Sequence, residues 1–313
     1  MNISVIIPSF RSGGYLLEAV QSVLNQRGDF ELQEIIVVDD DSDDSETHDA
    51  YKKLISEPRV KLIKNQEKKG SAGARNTGIL HSTGEWIAFL DADDILLENS
   101  ISYRVDLINK YKDIEWCGGD FIQFDENMNY NAAAYFESKL DHYPFLQSSY
   151  YSEQKYIVFD KPIEVFLQQA PATTGTIMAR KESIIRAGLF DTDLLMQQDI
   201  HLFLRLALKC KYGFIGKPLL AKREHKNNTT SDPAITLEWR LKAYRKLISD
   251  PEFAKYKEKL RNQIFNISTD LCYLNRKAHS FNRALTCSIQ SIRSKPTSTK
   301  GWKNMVASIL RIS

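Results

Sequence analysis

Gly84-Glu85-Trp86-Ile87-Ala88-Phe89-Leu90-Asp91-Ala92-Asp93-Asp94 is an apolar, β-prone run that ends in three carboxylates. A strand stopping on Asp-x-Asp puts hard oxygen ligands at the carboxyl edge of a sheet, where open α/β sheets bind their ligands. Such oxygens suit Mg²⁺ or Mn²⁺, ions commonly shared with substrate phosphates. Asp-x-Asp also arises by chance in acidic loops, so its weight depends on whether other segments fit the same site.

Outward from this stretch, the first half of the chain alternates strand and helix. Ile3-Ser4-Val5-Ile6-Ile7-Pro8 is a short buried-type strand, and Tyr15 to Gln26 carries a helical stripe of Leu16, Ala19, Val20, Val23 and Leu24. Glu34 to Val38 is a second strand, running into Asp39-Asp40-Asp41. A helix over Ser45–Ser56, a strand over Val60–Ile63, a glycine turn at Gly70–Gly73 and a helix over Ala74–His81 follow. After Leu90 a helix is expected over Leu97–Tyr111. Short links between alternating elements predict βαβ units and a mostly parallel sheet. Functional candidates recur where strands end, at Pro8, Asp39 and Asp91.

The pattern blurs between Cys117 and Ala170, a segment rich in tyrosine. Its aromatics suit either stacking faces for a sugar or plain packing under long loops. A strand at Thr176–Ala179, a helix at Asp199–Leu208 with Leu202, Phe203, Leu206 and Ala207 inward, and an edge strand at Leu219–Arg223 come next. Beyond Pro233 the chain reads as helices, with one pair near 264–292 that looks like a helical-repeat unit.

Net charge is only +2, but residues 253–313 hold 12 Lys/Arg against 2 Asp/Glu. That basic end suits an anionic partner, a membrane surface, a nucleic acid or simple solvation. The last helix has Trp302, Met305, Val306 and Ile309 on one side, and Lys300, Lys303, Asn304 and Arg311 mostly on the other. It suits docking at an anionic membrane or capping of the helical appendage. The four cysteines lie far apart without a Cys-x-x-Cys, which fits reduced thiols in a cytoplasmic protein. Met1 to Phe10 reads as a strand and not a signal peptide. No apolar run approaches the roughly 20 residues of a membrane span. The expectation is a soluble protein, at most peripheral on a membrane's inner face.

Four constellations carry chemistry. Asp39 directly follows an apolar strand, where a carboxylate can accept from a nucleobase N–H; Asp43 and Asp44 read as helix-capping residues. An EF-hand loop from Asp39 fails, because Asp44 and Ala50 stand where Gly and Glu are needed. Lys69 to Asn76 runs a glycine turn into a helix, exposing N–H groups and a positive dipole end to phosphate, with Arg75 as a fixed cation. Asp199 opens an apolar helix, as an N-cap or as a general base. His225 lies in a polar loop; beside an Asp-x-Asp metal it could be a ligand.

Together these segments resemble the family 2 glycosyltransferases of the GT-A, nucleotide-diphospho-sugar transferase fold. The matching pieces are Val5–Phe10, Ile36–Ser42, Gly70–Asn76, Phe89–Asp94, Thr174–Arg180, Ala187–Asp191, Gln198-Asp199, and His225 with Asn228. The resemblance implies a catalytic domain over 1–230 and a helical extension over 231–313. It implies that Pro8, Ser9, Phe10, Asp39, Asp40, Arg75 and Asn76 line the nucleotide pocket, with Asp39 on the uracil. Asp91 with Ala92 would meet the ribose or metal. Asp93 would bind Mn²⁺ or Mg²⁺ with His225 close by, Asp199 would be the catalytic base, and Thr174 and Gly175 would wall the donor sugar and acceptor. The activity implied is inverting, non-processive transfer from a UDP-sugar to a glycan or lipid-linked acceptor in surface polysaccharide synthesis.

The family often has Glu-Asp where this chain has Gln198-Asp199, which keeps the base and removes a neighbouring charge. The processive Gln-x-x-Arg-Trp motif is not matched, since Ser294 follows Gln290-Ser291-Ile292-Arg293. Three other readings compete. A sugar-nucleotide pyrophosphorylase would want a glycine-rich basic signature after the first strand, and an inactive nucleotide-binding scaffold would lack turnover. A nucleic-acid binder has only the basic end in its favour and no recognised motif.

Overall fold

The computed structural model describes residues 1–131, 133–153, 155–225 and 232–312. Contacts divide the chain into two compact units, Met1–Asp193 with Leu202–Lys226, and Leu194–His201 with Asn227–Ser313. The first unit is built from β1 (Asn2–Ser9), α1 (Tyr15–Leu24), β2 (Glu31–Asp39), α2 (Ser45–Leu54), β3 (Val60–Lys64), α3 (Ser71–His81), β4 (Trp86–Phe89), β5 (Ile95–Leu96) and α4 (Ser100–Lys110). It continues through β6 (Trp116–Asp125), α5 (Gln147–Tyr151), β7 (Tyr156–Phe159), α6 (Pro162–Phe166), β8 (Met178–Arg180) and α7 (Lys181–Arg186). Helix α8 (Gln198–Lys209) begins in the second unit and leads into β9 (Tyr212–Glu224) of the first.

The strands form one nine-stranded sheet in the order β3-β2-β1-β4-β8-β6-β9-β5, with β7 also paired to β9. The parallel expectation holds for β3-β2-β1-β4. Beyond β4 the sheet is mixed: β8 runs antiparallel to both β4 and β6, while β6 and β9 are parallel to each other. The segment over 219–223 is not an edge strand. It belongs to the 13-residue β9, which pairs with β5, β6 and β7.

Apolar runs explain the first half. Val5, Ile6, Ile7 and Ile35 to Val38 are buried on both faces, as parallel strands covered by helices must be. Helix α1 turns Leu16, Ala19, Val20 and Val23 inward. Helix α3 lies close on β1, because Gly78 has no side chain: a Cβ there would stand 2.5 Å from Ile6 Cγ2.

The tyrosine-rich segment is largely a packed aromatic cluster. Tyr143, Tyr150 and Phe136 are buried, and Tyr135 stacks on Phe121 at 4.6 Å. Asp120 anchors it from within β6, accepting from the N–H of Phe121, Phe136 and Glu137 and from the Tyr150 hydroxyl. Burial raises the Asp120 carboxyl above its ordinary range despite those donors.

The second unit contains α9 (Pro233–Ser249), α10 (Lys257–Lys277), α11 (Phe281–Ser294) and α12 (Thr299–Ile309). Helix α10 packs against the other three. No helix among the described residues is long and apolar enough to cross a membrane.

Candidate active site

Because β3, β2, β1 and β4 run parallel, their carboxyl ends share one edge of the sheet. The register pairs Ser9 with Asp39 and Asp39 with Lys64. Asp40 N donates to Ser9 O at 2.9 Å, and Leu90 N donates to Ile6 O at 3.1 Å, so the chain leaves β1, β2 and β4 side by side. Pro8-Ser9-Phe10, Asp39-Asp40 and Asp91 are thereby gathered on that edge, as the sequence predicted. Phe10 is exposed, with Lys69 Nζ 4.9 Å from its ring centre.

Beyond the ends of β2 and β3 lies a cleft of about 540 Å³, lined by Asp39, Ser42, His48, Tyr51, Leu62 and Lys64 among others. Asp39 Oδ1 accepts from Ser42 N and from the Tyr51 hydroxyl, both at 2.9 Å. The Tyr51 hydroxyl also reaches Ser9 Oγ at 2.9 Å. Burial first, and then the bond to Asp39, push Tyr51 up to about 12, so it remains a donor across the ordinary pH range. One oxygen of Asp39 is thus held in place from within the protein.

The glycine turn is clipped to the sheet by Asp40. Its Oδ2 accepts from Gly70 N at 2.8 Å and its Oδ1 from Asn65 Nδ2 at 2.6 Å. Gly70 takes φ +125°, a backbone state that side chains disfavour. Both carboxylate oxygens of Asp40 are used in this clip. The amide of Asn76 is likewise committed, donating to Phe190 O and accepting from Phe190 N. These two residues shape the turn and α3 through bonds within the protein.

Arg75 differs. It is 4% exposed and Nη2 donates to Asp91 Oδ1 at 2.6 Å. Its Nε and Nη1 are buried and bond to nothing among the described residues. A buried donor without a partner is costly in folded proteins. Burial alone would raise the Asp91 carboxyl, but the charge and hydrogen bond of Arg75 outweigh it and hold it below its ordinary value.

The turn after β4 is fixed by a residue that sequence reasoning passed over. Arg223, at the end of β9, donates from its backbone N to Asp94 Oδ1 at 2.9 Å and from Nε to Asp93 O at 2.9 Å. Its Nη2 meets Glu18 Oε2 at 2.6 Å, and its guanidinium lies 4.2 Å from the Tyr15 ring centre and 4.5 Å from that of Phe124. Asp94 is buried, and burial together with the charges of Asp93 and Asp91 pushes its carboxyl well above the usual range. Next to it, Asp93 Oδ2 stands 2.9 Å from His225 Nε2, and His225 stacks on Tyr15 at 6.2 Å. Ala92 is buried within the same turn.

Thr174 and Gly175 form a buried turn of 3₁₀ helix leading to β8, and Gly175 O accepts from Arg104 Nη2 at 3.4 Å. Asp199 sits in the first turn of α8, half-buried, with its Oδ1 on Ile200 N at 2.8 Å. It belongs to the second unit. Asn228 lies outside the described residues.

The profile of Glycosyl transferase family 2 matches residues 4–170, more than half of the chain. The chain belongs to this family. It is 36% identical to the glycosyltransferase GlyG of Streptococcus pneumoniae over 127 residues, 40% of either chain. It is 34% identical over 125 residues to WfgD of Escherichia coli, named a UDP-Glc:α-D-GlcNAc-diphosphoundecaprenol β-1,3-glucosyltransferase, covering 40% of this chain and 47% of WfgD. The chain therefore spans less than half the length of these two relatives. Among solved structures, S. aureus TarS 1–349 matches with TM-score 0.66 at 14% identity, over 100% of this chain and 89% of that fragment. TarS 1–349 in complex with UDP-GlcNAc matches with TM-score 0.64 at 15% identity, over 99% and 92%. At that identity the likeness is one of fold: a mixed α/β architecture of GT-A type.

The family implies a divalent cation, and the residues present fit one. Among the described residues no three His, Cys, Asp or Glu side chains cluster as a complete cage. Mg²⁺ and Mn²⁺ are usually held by one or two protein groups, with substrate phosphates and water completing the shell. Asp93 and His225, already in contact, would form such a pair, and imidazole suits Mn²⁺ better than Mg²⁺.

Proposed function

We propose that the chain is a metal-dependent, inverting glycosyltransferase. In this reading it moves one sugar at a time from a UDP-sugar to a hydroxyl of a glycan or lipid-linked glycan in surface polysaccharide synthesis. The observation that carries the reading is Arg75: a buried guanidinium, fixed by Asp91 at the shared edge of β1, β2 and β4, with two N–H groups unpartnered among the described residues. Phosphate oxygens of a diphosphate would satisfy such donors. Asp39, steadied by Tyr51, would accept from the uracil N–H, with Pro8, Ser9 and Phe10 beside the base.

Asp93 and His225 would hold Mn²⁺ or Mg²⁺, which when bound supplies positive charge against the diphosphate. Thr174 and Gly175 would wall the sugar. Asp199 takes the proton from the acceptor hydroxyl, whose oxygen forms a bond to the anomeric carbon as the bond to the UDP oxygen breaks. One displacement inverts the anomeric configuration. Arg75 then meets the charge that gathers on the departing diphosphate. WfgD is named for a diphosphoundecaprenol-linked acceptor, and TarP of S. aureus for a poly(ribitol-phosphate) acceptor. Those names support an anionic acceptor; a workplace in the cytoplasm at the inner face of a membrane is part of the same proposal.

The test is Asp199→Asn. It is expected to lose transfer from the productive UDP-sugar by at least a hundred-fold, as expected for removal of a general base, while UDP binds by calorimetry as in the wild type. Loss of UDP binding in parallel would make Asp199 structural, and full retention of transfer would remove it as the base.

A further inference from the structure

We infer that the C-terminal helical unit docks on an anionic phospholipid surface, with lipid phosphates held at Arg245, Arg261 and Arg293 and the outer face of α12 set into the interface. This deepens the lipid-linked reading of the acceptor and rests on that reading for its purpose.

The first observation is that α12 is packed inside out. It turns Gly301, Asn304 and Ser308 inward. Gly301 lies against Ile292 and Ser291, Asn304 Oδ1 accepts from Arg276 Nη1, and Ser308 Oγ is 3.5 Å from Cys272 Sγ. Small and polar side chains thus make the internal contacts. The apolar face looks outward: Trp302 is 49% exposed, Val306 51% and Ile309 59%, followed by Leu310 at 62%. A helix that hides its polar side and shows its apolar one is built to be covered by something else. Trp302 fits the polar–apolar boundary of a membrane, where tryptophan concentrates.

The second observation says what the cover is. Lys300 and Lys303 of α12 and Arg311 just beyond it lie within a stretch carrying 12 Lys/Arg and 2 Asp/Glu. A separate cleft of about 570 Å³ takes an arginine from each of three helices, Arg245 of α9, Arg261 of α10 and Arg293 of α11. Ile248, Ile264 and Ile289 form its apolar wall, and no carboxylate lines it. Arg245 bonds to Gln290; Arg261 and Arg293 have no ion pair among the described residues. Arginines from three helices line this one cleft, and guanidinium forks match phosphate oxygens. An aliphatic wall beside phosphate-binding groups suits a phospholipid better than a free phosphate.

The experiment is flotation of the full chain with vesicles of phosphatidylcholine alone or with phosphatidylglycerol added. Wild-type protein is expected to float with the anionic vesicles and stay behind with the neutral ones. Arg261→Gln with Arg293→Gln is expected to lower partitioning roughly thirty-fold, at the usual weight of a cation near an anionic surface. Trp302→Ser with Ile309→Ser is expected to lower it roughly ten-fold or more. All four positions are exposed, so folding is unaffected, and each variant is expected to bind UDP as the wild type does. That last arm separates failure here from failure of the donor reading. The inference is overturned if the wild type ignores anionic vesicles, if the variants float equally well, or if sedimentation shows the α12 face pairing two copies without lipid binding.

Discussion

Replacing Arg75 by Met tests the anion-docking reading with a magnitude worked from the structure. The substitution removes a 2.6 Å charged bond to Asp91 whose arginine is 5% and whose carboxylate 35% exposed at the side chain. Breaking a fully buried pair costs about 3–5 kcal/mol, because one charge is left stranded. Water reaches one side of Asp91, so the cost here is about 2 kcal/mol. The two donors that would meet the diphosphate in the proposed function are lost as well, at about 2–3 kcal/mol, or a roughly 30- to 150-fold rise in the Kd for UDP.

The pH dependence has a definite sign. Asp91 is held below its ordinary value in the folded wild type, so its stabilisation is present above the unfolded carboxylate range and lost as acid protonates it. The stability gap between Arg75→Met and wild type is therefore widest at neutral pH and narrows in acid. Urea melts across pH and UDP calorimetry measure both effects, and Asp91→Asn closes a double-mutant cycle with an expected coupling of about 1–2 kcal/mol. A variant that binds UDP as tightly as wild type, with the two substitutions strictly additive, would refute the reasoning.

Other positions give further expectations. Tyr51→Phe removes the donor that steadies Asp39 Oδ1 and Ser9 Oγ; calorimetry is expected to show UDP affinity falling roughly ten-fold, with free-phosphate affinity unchanged. Glu34, 1% exposed at its side chain, is drawn down to about 2 by Lys61, Thr83 and Ser4 against the opposing effect of burial. Glu34→Gln is expected to cost on the order of 3 kcal/mol at neutral pH. That deficit shrinks as pH falls from about 4.5 toward 2, where the wild-type advantage is lost; thermal melts at several pH values check it.

The parallel half of the fold was legible because each element announces itself locally. Val5 to Ile7 and Ile35 to Val38 are unbroken apolar runs, and the links between elements are short. The strand-end carboxylates could be placed for the same reason, since a parallel register brings chain ends together whatever their spacing in sequence. The second half was harder. Asp120 is a charged residue inside a long strand, and read locally it signals a loop; Arg223 closes its strand with nothing local to show what it holds. Each is tolerated only through partners far away: Asp120 through a turn near Phe136 and through Tyr150, Arg223 through Glu18 and the Asp93–Asp94 turn. Tyr51 was missed likewise, because its helical position gives no hint that its hydroxyl returns to Ser9 and Asp39. For α12 the amphipathic pattern was visible, but which side turns inward was not. Gly301 and Ser308 decide it, by letting the helix pack closely on its polar face.

The central claim is that the ends of β1, β2 and β4 converge on one nucleotide diphosphate and its cation. Diffraction at the manganese edge, from crystals grown with UDP and Mn²⁺, tests it most directly. The account predicts one anomalous peak in ligand contact with Asp93 and His225, the diphosphate on Arg75 and the uracil against Asp39. A nucleotide bound elsewhere, or a manganese peak remote from Asp93, would contradict it.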